Sequence, residues 1–353
     1  MKKAKQVLET FSLSLAGGGL FAILQVPLAW ILGPLSMMIV WRSFANRTLL
    51  CPDSIKQISL MFLGIYFGLS FTKSTFIEVG PYIIPFLILT IILILISVTN
   101  GLLIGKWLKF DPVTSSFSTI PGGLSEMVVI TESLKGNVAM VTIFQTVRLL
   151  SVVFLVPFLV TLIFAGNSPS GTVATNDGSV LNGSYFSYLW FILSFAVGWL
   201  LRYKVPAGAV IGPLLVTACL NISGISLPVL PDAIIICAQL VVGTSIGIRM
   251  SWNELKLGGK YSFIYFGLTL ILIIISFALG YLFSIFTGVS LSTAILSLAP
   301  GGLVEMVLTA NSIGADPALV SALQFIRLLF ILIVVPTVLK WCFSTKKITF
   351  MNR

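Results

Sequence analysis

The sequence contains no histidine and only four cysteines, none of which forms a CxxC pair. The lack of imidazole excludes histidine-ligated metal sites, and the scattered cysteines do not indicate a thiolate cluster. Catalysis by a serine–histidine or cysteine–histidine pair is excluded for the same reason. We therefore expect this protein to hold no cofactor and no metal, and not to be an enzyme.

Charged residues are also scarce, at 9% of the chain, whereas hydrophobic residues make up 57%. A soluble domain is nearer one quarter charged. Apolar runs at 83–103 and 138–162 are long enough to cross a hydrocarbon core of about 30 Å. The composition predicts a multi-pass membrane protein embedded in a lipid bilayer. The net charge of +10 is then explained by basic cytoplasmic loops, and it does not indicate a nucleic-acid partner.

The chain contains an internal duplication. Shifted by 179 residues, the sequence matches itself without gaps from Val26 to Pro157. The clearest pair is "STIPGGLSEM" at 118–127 and "SLAPGGLVEM" at 297–306, each followed by Gln-x-x-Arg. This predicts a first transmembrane repeat at 1–165 and a second at 186–353. The polar stretch at 166–185 has no Lys or Arg, and we interpret it as an extracytoplasmic linker.

Each repeat contains six apolar segments. The first segment of the chain follows a basic N-terminus as a signal peptide would, but we expect it to be a retained helix, because no small-x-small cleavage site follows it. The segments lie at about 8–25, 28–46, 57–72, 81–104, 113–133 and 138–163, and at about 186–202, 207–222, 233–249, 262–287, 291–310 and 317–340. The topology depends on the fifth segment. If it crosses the membrane, the repeats are parallel; if it enters and leaves on one side, they are inverted.

The distribution of basic residues favours the inverted arrangement. With a cytoplasmic N-terminus, 18 of the 21 basic residues fall inside and only Lys73 falls outside. The parallel arrangement would place seven outside. The predicted fold is an all-α polytopic membrane protein with two inverted repeats, each about five transmembrane helices plus one re-entrant broken-helix hairpin. We expect it in the bacterial inner membrane, with both termini in the cytoplasm.

The fifth segments carry the candidate site. Pro lacks an N–H and Gly is permissive, so Pro-Gly-Gly breaks a helix, and broken backbone at membrane depth is tolerated only inside protein or along a cavity. A glutamate follows each break, and an arginine lies at similar depth in each sixth segment. The candidate substrate-binding or coupling residues are Pro121, Gly122, Gly123, Ser125, Glu126, Gln145 and Arg148, and Pro300, Gly301, Gly302, Glu305, Gln324 and Arg327.

Two interpretations of these charges remain open. Glutamate–arginine pairs could simply hold each hairpin to its sixth helix, since an unpaired charge in a membrane is costly. Alternatively, the two tips line a central transport site, because interrupted segments at matching positions of two repeats mark such sites. The lining is not fully symmetric, since Asn100 is matched by Leu279 and Ser125 by Val304.

A further glycine pattern predicts close helix packing. Gly64-x-x-x-Gly68 in the first repeat is matched by Gly243-x-x-x-Gly247 in the second. Small residues at this spacing let two helix backbones approach each other in a membrane.

The duplicated "PGGLSEM" and "PGGLVEM", each with its Gln-x-x-Arg, resemble the AbrB-type family of duplicated membrane proteins. The resemblance covers nearly the whole chain. Members are labelled as ammonia monooxygenases or as regulators of AidB, and they share only a name with the small AbrB DNA-binding regulators. The resemblance places the family motif on the proline, glycines, glutamate, glutamine and arginine of each repeat. The missing histidine argues against the monooxygenase label.

The sequence therefore predicts a secondary transporter of a small solute, with alternating access around the central site. Arginines favour an anion or zwitterion, and a buried glutamate offers a place for a coupling proton. The alternative is a membrane regulator or sensor that affects gene expression indirectly, for which the cytoplasmic loops are short. Glycine-rich helices are compatible with a homodimer.

Overall fold

The computed structural model describes residues 2–45, 49–122, 124–164, 185–205, 207–225, 227–250 and 258–351. Within these ranges all regular structure is helical. The helices of the first half are α1 (Lys2–Ile23), α2 (Ala29–Ala45), α3 (Asp53–Leu69), α4 (Lys73–Leu108), α5 (Pro112–Thr119), α6 (Leu124–Ser133) and α7 (Val138–Phe164). Those of the second half are α8 (Leu189–Leu201), α9 (Gly208–Ile222), α10 (Asp232–Ile248), α11 (Gly259–Thr287), α12 (Leu291–Leu298), α13 (Leu303–Ser312) and α14 (Pro317–Met351).

The helices match the predicted segments, including the break in each fifth segment. That segment is split into α5 and α6 in the first repeat and into α12 and α13 in the second. The predicted interruption by Pro-Gly-Gly is confirmed in both repeats.

Five helices of the described chain are long and apolar enough to cross a membrane, and they indicate a membrane protein. Their apolar spans are Lys5–Ile23, Ile77–Leu108, Val138–Phe164, Gly259–Thr287 and Pro317–Val335. Other apolar helices, such as α8 and α9, have only 13 and 15 residues. At 1.5 Å per residue they span roughly 20 Å, which is less than the hydrocarbon thickness. Helix length therefore accounts for five of the ten predicted crossings.

Packing divides the chain into two compact units, and each takes helices from both repeats. The first unit comprises Met1–Gly80, Pro157–Asn253 and Val304–Ser321. The second comprises Pro81–Val156, Glu254–Leu303 and Ala322–Arg353. The duplication and the packing thus divide the same chain differently.

In the first unit, the two repeats make reciprocal contacts through their glycines. A Cβ on Gly64 of α3 would overlap the backbone oxygen of Val210 in α9. A Cβ on Gly243 of α10 would overlap the backbone oxygen of Ile31 in α2. Each residue of the second contact lies 179 positions from its counterpart in the first. Close packing at these glycines, as the sequence predicts, is confirmed.

The same exchange occurs at the ends of these helices. Arg42 of α2 donates to the backbone oxygen of Ile248 at the end of α10. Its counterpart Asn221 of α9 donates to the backbone oxygen of Leu69, at the end of α3, at 3.0 Å. A side chain of each repeat therefore satisfies a carbonyl that the other repeat leaves free at a helix C-terminus.

The second unit builds an apolar core around the first break. The core consists of buried side chains from α4, α5, α6, α7 and α14: Ile94, Phe117, Ile120, Met127, Val141, Ile331 and Val335. A Cβ on Gly101 of α4 would overlap Thr119 at the end of α5. Its counterpart Gly280 of α11 packs on Ile295 of α12 in the same way. Glycines in the fourth segments thus let the half-helices before the breaks lie against them.

Candidate functional site

Both helices that precede a break end for the same local reason. The residue before a proline is restricted to extended backbone. Ile120 before Pro121 has φ −63° and ψ 128°, and Ala299 before Pro300 has φ −57° and ψ 133°. In each break one hydrogen bond closes a tight turn, from the Gly122 N–H to the Ile120 oxygen at 2.9 Å and from its counterpart at 2.8 Å. The tips therefore share one backbone shape.

A buried glutamine binds the end of each of these half-helices. The Gln145 Nε2 group donates to the backbone oxygens of Phe117, at 2.6 Å, and Ile120, at 3.0 Å. Gln324 repeats the pattern on Leu296, at 2.7 Å, and Ala299, at 3.4 Å. Carbonyls at the end of a helix have no intrahelical partner and need an outside donor in an apolar setting. These glutamines have that role.

Each glutamine in turn holds the arginine one turn later. Arg148 donates through Nε and Nη2 to the Gln145 Oε1 atom at 3.1 and 2.8 Å. Arg327 makes the corresponding Nη2 bond to Gln324 Oε1. Both arginine side chains are buried, at 6% and 5% exposed. The glutamine oxygen therefore fixes the guanidinium group beside the break.

The two arginines bind the breaks in different ways. Arg327 donates to the backbone oxygens of Ala299 and Gly301 (2.8 Å for the latter), both in its own repeat. Arg148 donates to Gly122 of its own repeat at 3.0 Å and to Pro300 of the other repeat at 3.2 Å. Arg148 thus joins the two breaks. The two arginines bind consecutive backbone oxygens of the second break, so their guanidinium groups lie near each other.

The structure brings eight of the predicted site residues together in the second unit. They are the proline, the first glycine, the glutamine and the arginine of each repeat: Pro121, Gly122, Gln145, Arg148, Pro300, Gly301, Gln324 and Arg327. Gly302 follows in the second break and is partly buried. Gly123 lies outside the described residues, and so do the side chains of Ser125 and Glu126.

Glu305 lies on α13 and is only 5% exposed. Its backbone oxygen accepts a hydrogen bond from Thr309 at 2.7 Å. It belongs to the first compact unit, whereas Arg327 belongs to the second. The pairing of glutamates with arginines therefore stays a prediction in both repeats.

Beside the first break lies a small polar cavity that the sequence did not predict. It has a volume of about 20 Å³ and is bordered by Arg148, by polar side chains of α4, α5 and α11, and by apolar side chains. The polar members are Ser97, Asn100, Ser118, Thr119, Tyr265 and Thr269. A sequence signal does exist, since three of them are apolar at the matching position of the other repeat. Thr119 is matched by Leu298 and Tyr265 by Phe86, as Asn100 is by Leu279.

In the described residues no three Cys, Asp or Glu side chains group together to hold a metal ion. The groups that face the breaks are N–H donors and backbone oxygens. These described groups offer hydrogen bonds and positive charge.

Comparison with known proteins gives a consistent family match. The family model AbrB, described as "Transition state regulatory protein AbrB", matches residues 30–343. "Uncharacterized protein YhjN" of Bacillus subtilis (strain 168) is 26% identical over 360 residues, covering 95% of this chain and 94% of that protein. "Putative regulator AbrB" of Escherichia coli (strain K12) is 26% identical over 330 residues, covering 91% and 92%.

Proposed function

The chain belongs to the AbrB family, and we propose that this member is a bacterial inner-membrane secondary transporter of a small anionic or zwitterionic solute. The observation that carries the proposal is the position of Arg148, whose guanidinium group binds backbone oxygens in both breaks. Interrupted helices at matching positions of two repeats are the arrangement in which transporters place their substrate sites.

The charge of the site supports an anionic or zwitterionic solute. The two buried arginines lie close together, and their described hydrogen bonds go to neutral backbone oxygens and glutamine amides. A positive charge inside a membrane protein is costly unless a negative group offsets it. A carboxylate or another anionic group of the solute would supply that offset during transport.

Alternating access fits a pair of two-fold-related repeats. The glycine contacts and helix-end contacts of the first unit are reciprocal, as contacts across a two-fold axis are. The bias of the basic residues supports placing this axis in the membrane plane, with both termini in the cytoplasm. In this arrangement one tip enters from each side of the membrane, which makes each fifth segment a re-entrant hairpin.

The proposal is tested by solute-driven proton flux into proteoliposomes that contain the full chain. The panel comprises small carboxylates, amino acids and amines. We expect flux with a carboxylate or an amino acid, and loss of proton coupling in Glu126→Gln or Glu305→Gln. Glu132→Gln is the matched control, because Glu132 lies at the exposed end of α6. Flux driven only by amines would contradict the proposed solute class.

The second candidate is regulation of gene expression. What favours it is the description of the family and the name of the Escherichia coli relative. The two functions separate in a strain that lacks this gene and expresses a transport-dead variant. A variant that restores the expression pattern without moving solute would favour a regulator, whereas loss of both together would favour regulation through the transported solute.

A further inference from the structure

The cavity beside the first break is small, and its lining combines polar groups from both repeats with the apolar side chains of Phe144, Leu268 and Leu272. Its volume of about 20 Å³ is sufficient for one water-sized atom, for which about 10–15 Å³ is the minimum. Its polar wall is formed by α4, the end of α5, α7 and α11, all within the second compact unit. The occupant therefore contributes a single small atom to this space.

Some donors of the wall already have acceptors. The Ser97 and Thr119 hydroxyls each donate to the other residue's backbone oxygen, at 2.7 and 2.9 Å. The Ser118 hydroxyl donates to the Thr114 backbone oxygen at 2.6 Å. These bonds fix α5 against α4 and make that side of the wall rigid.

Other donors have none within the described part of the chain. Tyr265 is 2% exposed, and its hydroxyl lies near Ser118 and Ser115 but makes no hydrogen bond of normal geometry. Arg148 has five N–H groups, of which four are used in bonds to Gln145, Gly122 and Pro300. The remaining one is on Nη1. A buried donor without an acceptor is destabilising, so an occupant that accepts hydrogen bonds would be stabilised here.

The chemistry of the wall selects an anion. None of the residues that line the cavity is acidic, whereas Arg148 is a permanent cation. A water molecule would satisfy the donors but would bring no negative charge. An anionic atom does both, and hydrogen bonds to charged groups are stronger than neutral ones.

We propose that this cavity is an anion-binding site that takes one negatively charged atom, either an oxygen of a small carboxylate or a halide ion. In the carboxylate case it deepens the proposed transport function, because it says where the acidic group of the solute binds. The site is one-sided, because the residues related to Tyr265, Asn100 and Thr119 by the duplication are Phe86, Leu279 and Leu298.

Binding is measured on the purified full chain in detergent, with sodium formate and sodium chloride as probes. Sodium gluconate at equal ionic strength is the reference, because its carboxylate carries a bulky polyhydroxyl chain that a buried site does not admit, whereas the formate carboxylate carries only a hydrogen atom. We expect formate or chloride to raise the apparent melting temperature and to give a saturable change in intrinsic fluorescence. Formate binding identifies a carboxylate site, and chloride binding alone identifies a halide site.

Variants locate the binding. Tyr265→Phe removes only the hydroxyl, and Phe is the residue of the other repeat at that position, so the fold should tolerate it. We expect its Kd for the bound probe to be about tenfold weaker, as the loss of one hydrogen bond to a charged group predicts. Thr90→Val is the matched control, because Thr90 is the counterpart of Thr269 and its buried hydroxyl also has no partner among the described residues. We expect Thr90→Val to bind like the native protein.

Two results would overturn the inference. One is that neither anion differs from gluconate with the folded native protein, which would leave the cavity to water. The other is that Tyr265→Phe and Asn100→Leu both bind the probe like the native protein. Parallel flux measurements separate this inference from the proposed function. If the probe binds at the cavity but no solute drives flux, the anion site stands and the transporter proposal fails. If solute drives flux and Tyr265→Phe changes neither flux nor probe binding, the transporter proposal stands and the anion site fails.

Discussion

The two Pro-Gly-Gly breaks are held by the same kinds of hydrogen bond, but the side chains around them differ. In both, a glutamine donates to two backbone oxygens at the end of the half-helix, and an arginine donates to the break. The surroundings differ, because the first break faces a cavity lined by Asn100, Thr119 and Tyr265, whose counterparts related by the duplication are Leu, Leu and Phe. The duplication has thus kept the residues that hold the backbone, whereas three of the six polar side chains beside the first break have an apolar counterpart.

Arg148 binds both breaks, whereas Arg327 binds only the second, and this difference predicts the largest effect, which is on amide hydrogen exchange. Arg148→Met would remove donors from both breaks, whereas Arg327→Met would remove donors only from the second. Each lost bond from a charged donor is worth about 1.5–3 kcal/mol. We therefore expect amide hydrogen exchange to rise about 10- to 100-fold at 116–122 and 295–301 in Arg148→Met, and only at 295–301 in Arg327→Met. Equal patterns in the two variants would show that the bond between the repeats is unimportant.

The glycine contacts predict equal effects in the two repeats. Gly64→Ala and Gly243→Ala each place a methyl group on a backbone oxygen that cannot move without shifting a helix. Overpacking of this kind costs about 1–3 kcal/mol, and we expect a similar fall in thermal stability for both. Gly19→Ala is the control, since no atom lies within 4 Å of a Cβ there. A large difference between Gly64→Ala and Gly243→Ala would contradict the conclusion that the two glycine contacts are equivalent.

The smallest effects concern single hydroxyls. Thr119→Val removes the bond to the Ser97 backbone oxygen, and we expect it to cost about 1 kcal/mol. Thr90→Val removes a buried hydroxyl that has no partner in the described part of the chain, so we expect a neutral or slightly stabilising change. Thermal unfolding of the two variants side by side would test this. If Thr90→Val were less stable than Thr119→Val, the hydrogen bond from Thr119 to the Ser97 oxygen would not contribute to the stability of the fold.

The sequence predicted the features that local chemistry or the repeat itself determines. Proline forces the residue before it out of the helix, so both breaks were predictable from Pro121 and Pro300. Glycines at a four-residue spacing indicated close packing. The match of Gln145 to Gln324 marked both as site residues, although their bonds to free helix-end carbonyls are visible only in the structure.

The sequence did not predict contacts between distant parts of the chain. The balance of charges in the sequence suggested glutamates as the partners of the arginines. The arginines also bind backbone oxygens, and no residue type in a sequence marks which backbone oxygens will be bound. The contact of Arg148 with Pro300 joins residues 152 positions apart. Tyr265 faces the first break from the second repeat, and only a polar-to-apolar difference between the repeats, against Phe86, could have indicated it.

The reciprocal glycine contacts also have a consequence for biosynthesis. Helix α3 finds its partner α9 only after the ribosome has made the residues between Gly64 and Val210. At about 5–20 residues per second, the glycine face of α3 waits roughly 7–30 seconds in the membrane before its partner is translated. A nascent chain that stops after the first repeat would keep this face open, and another truncated chain could then occupy it.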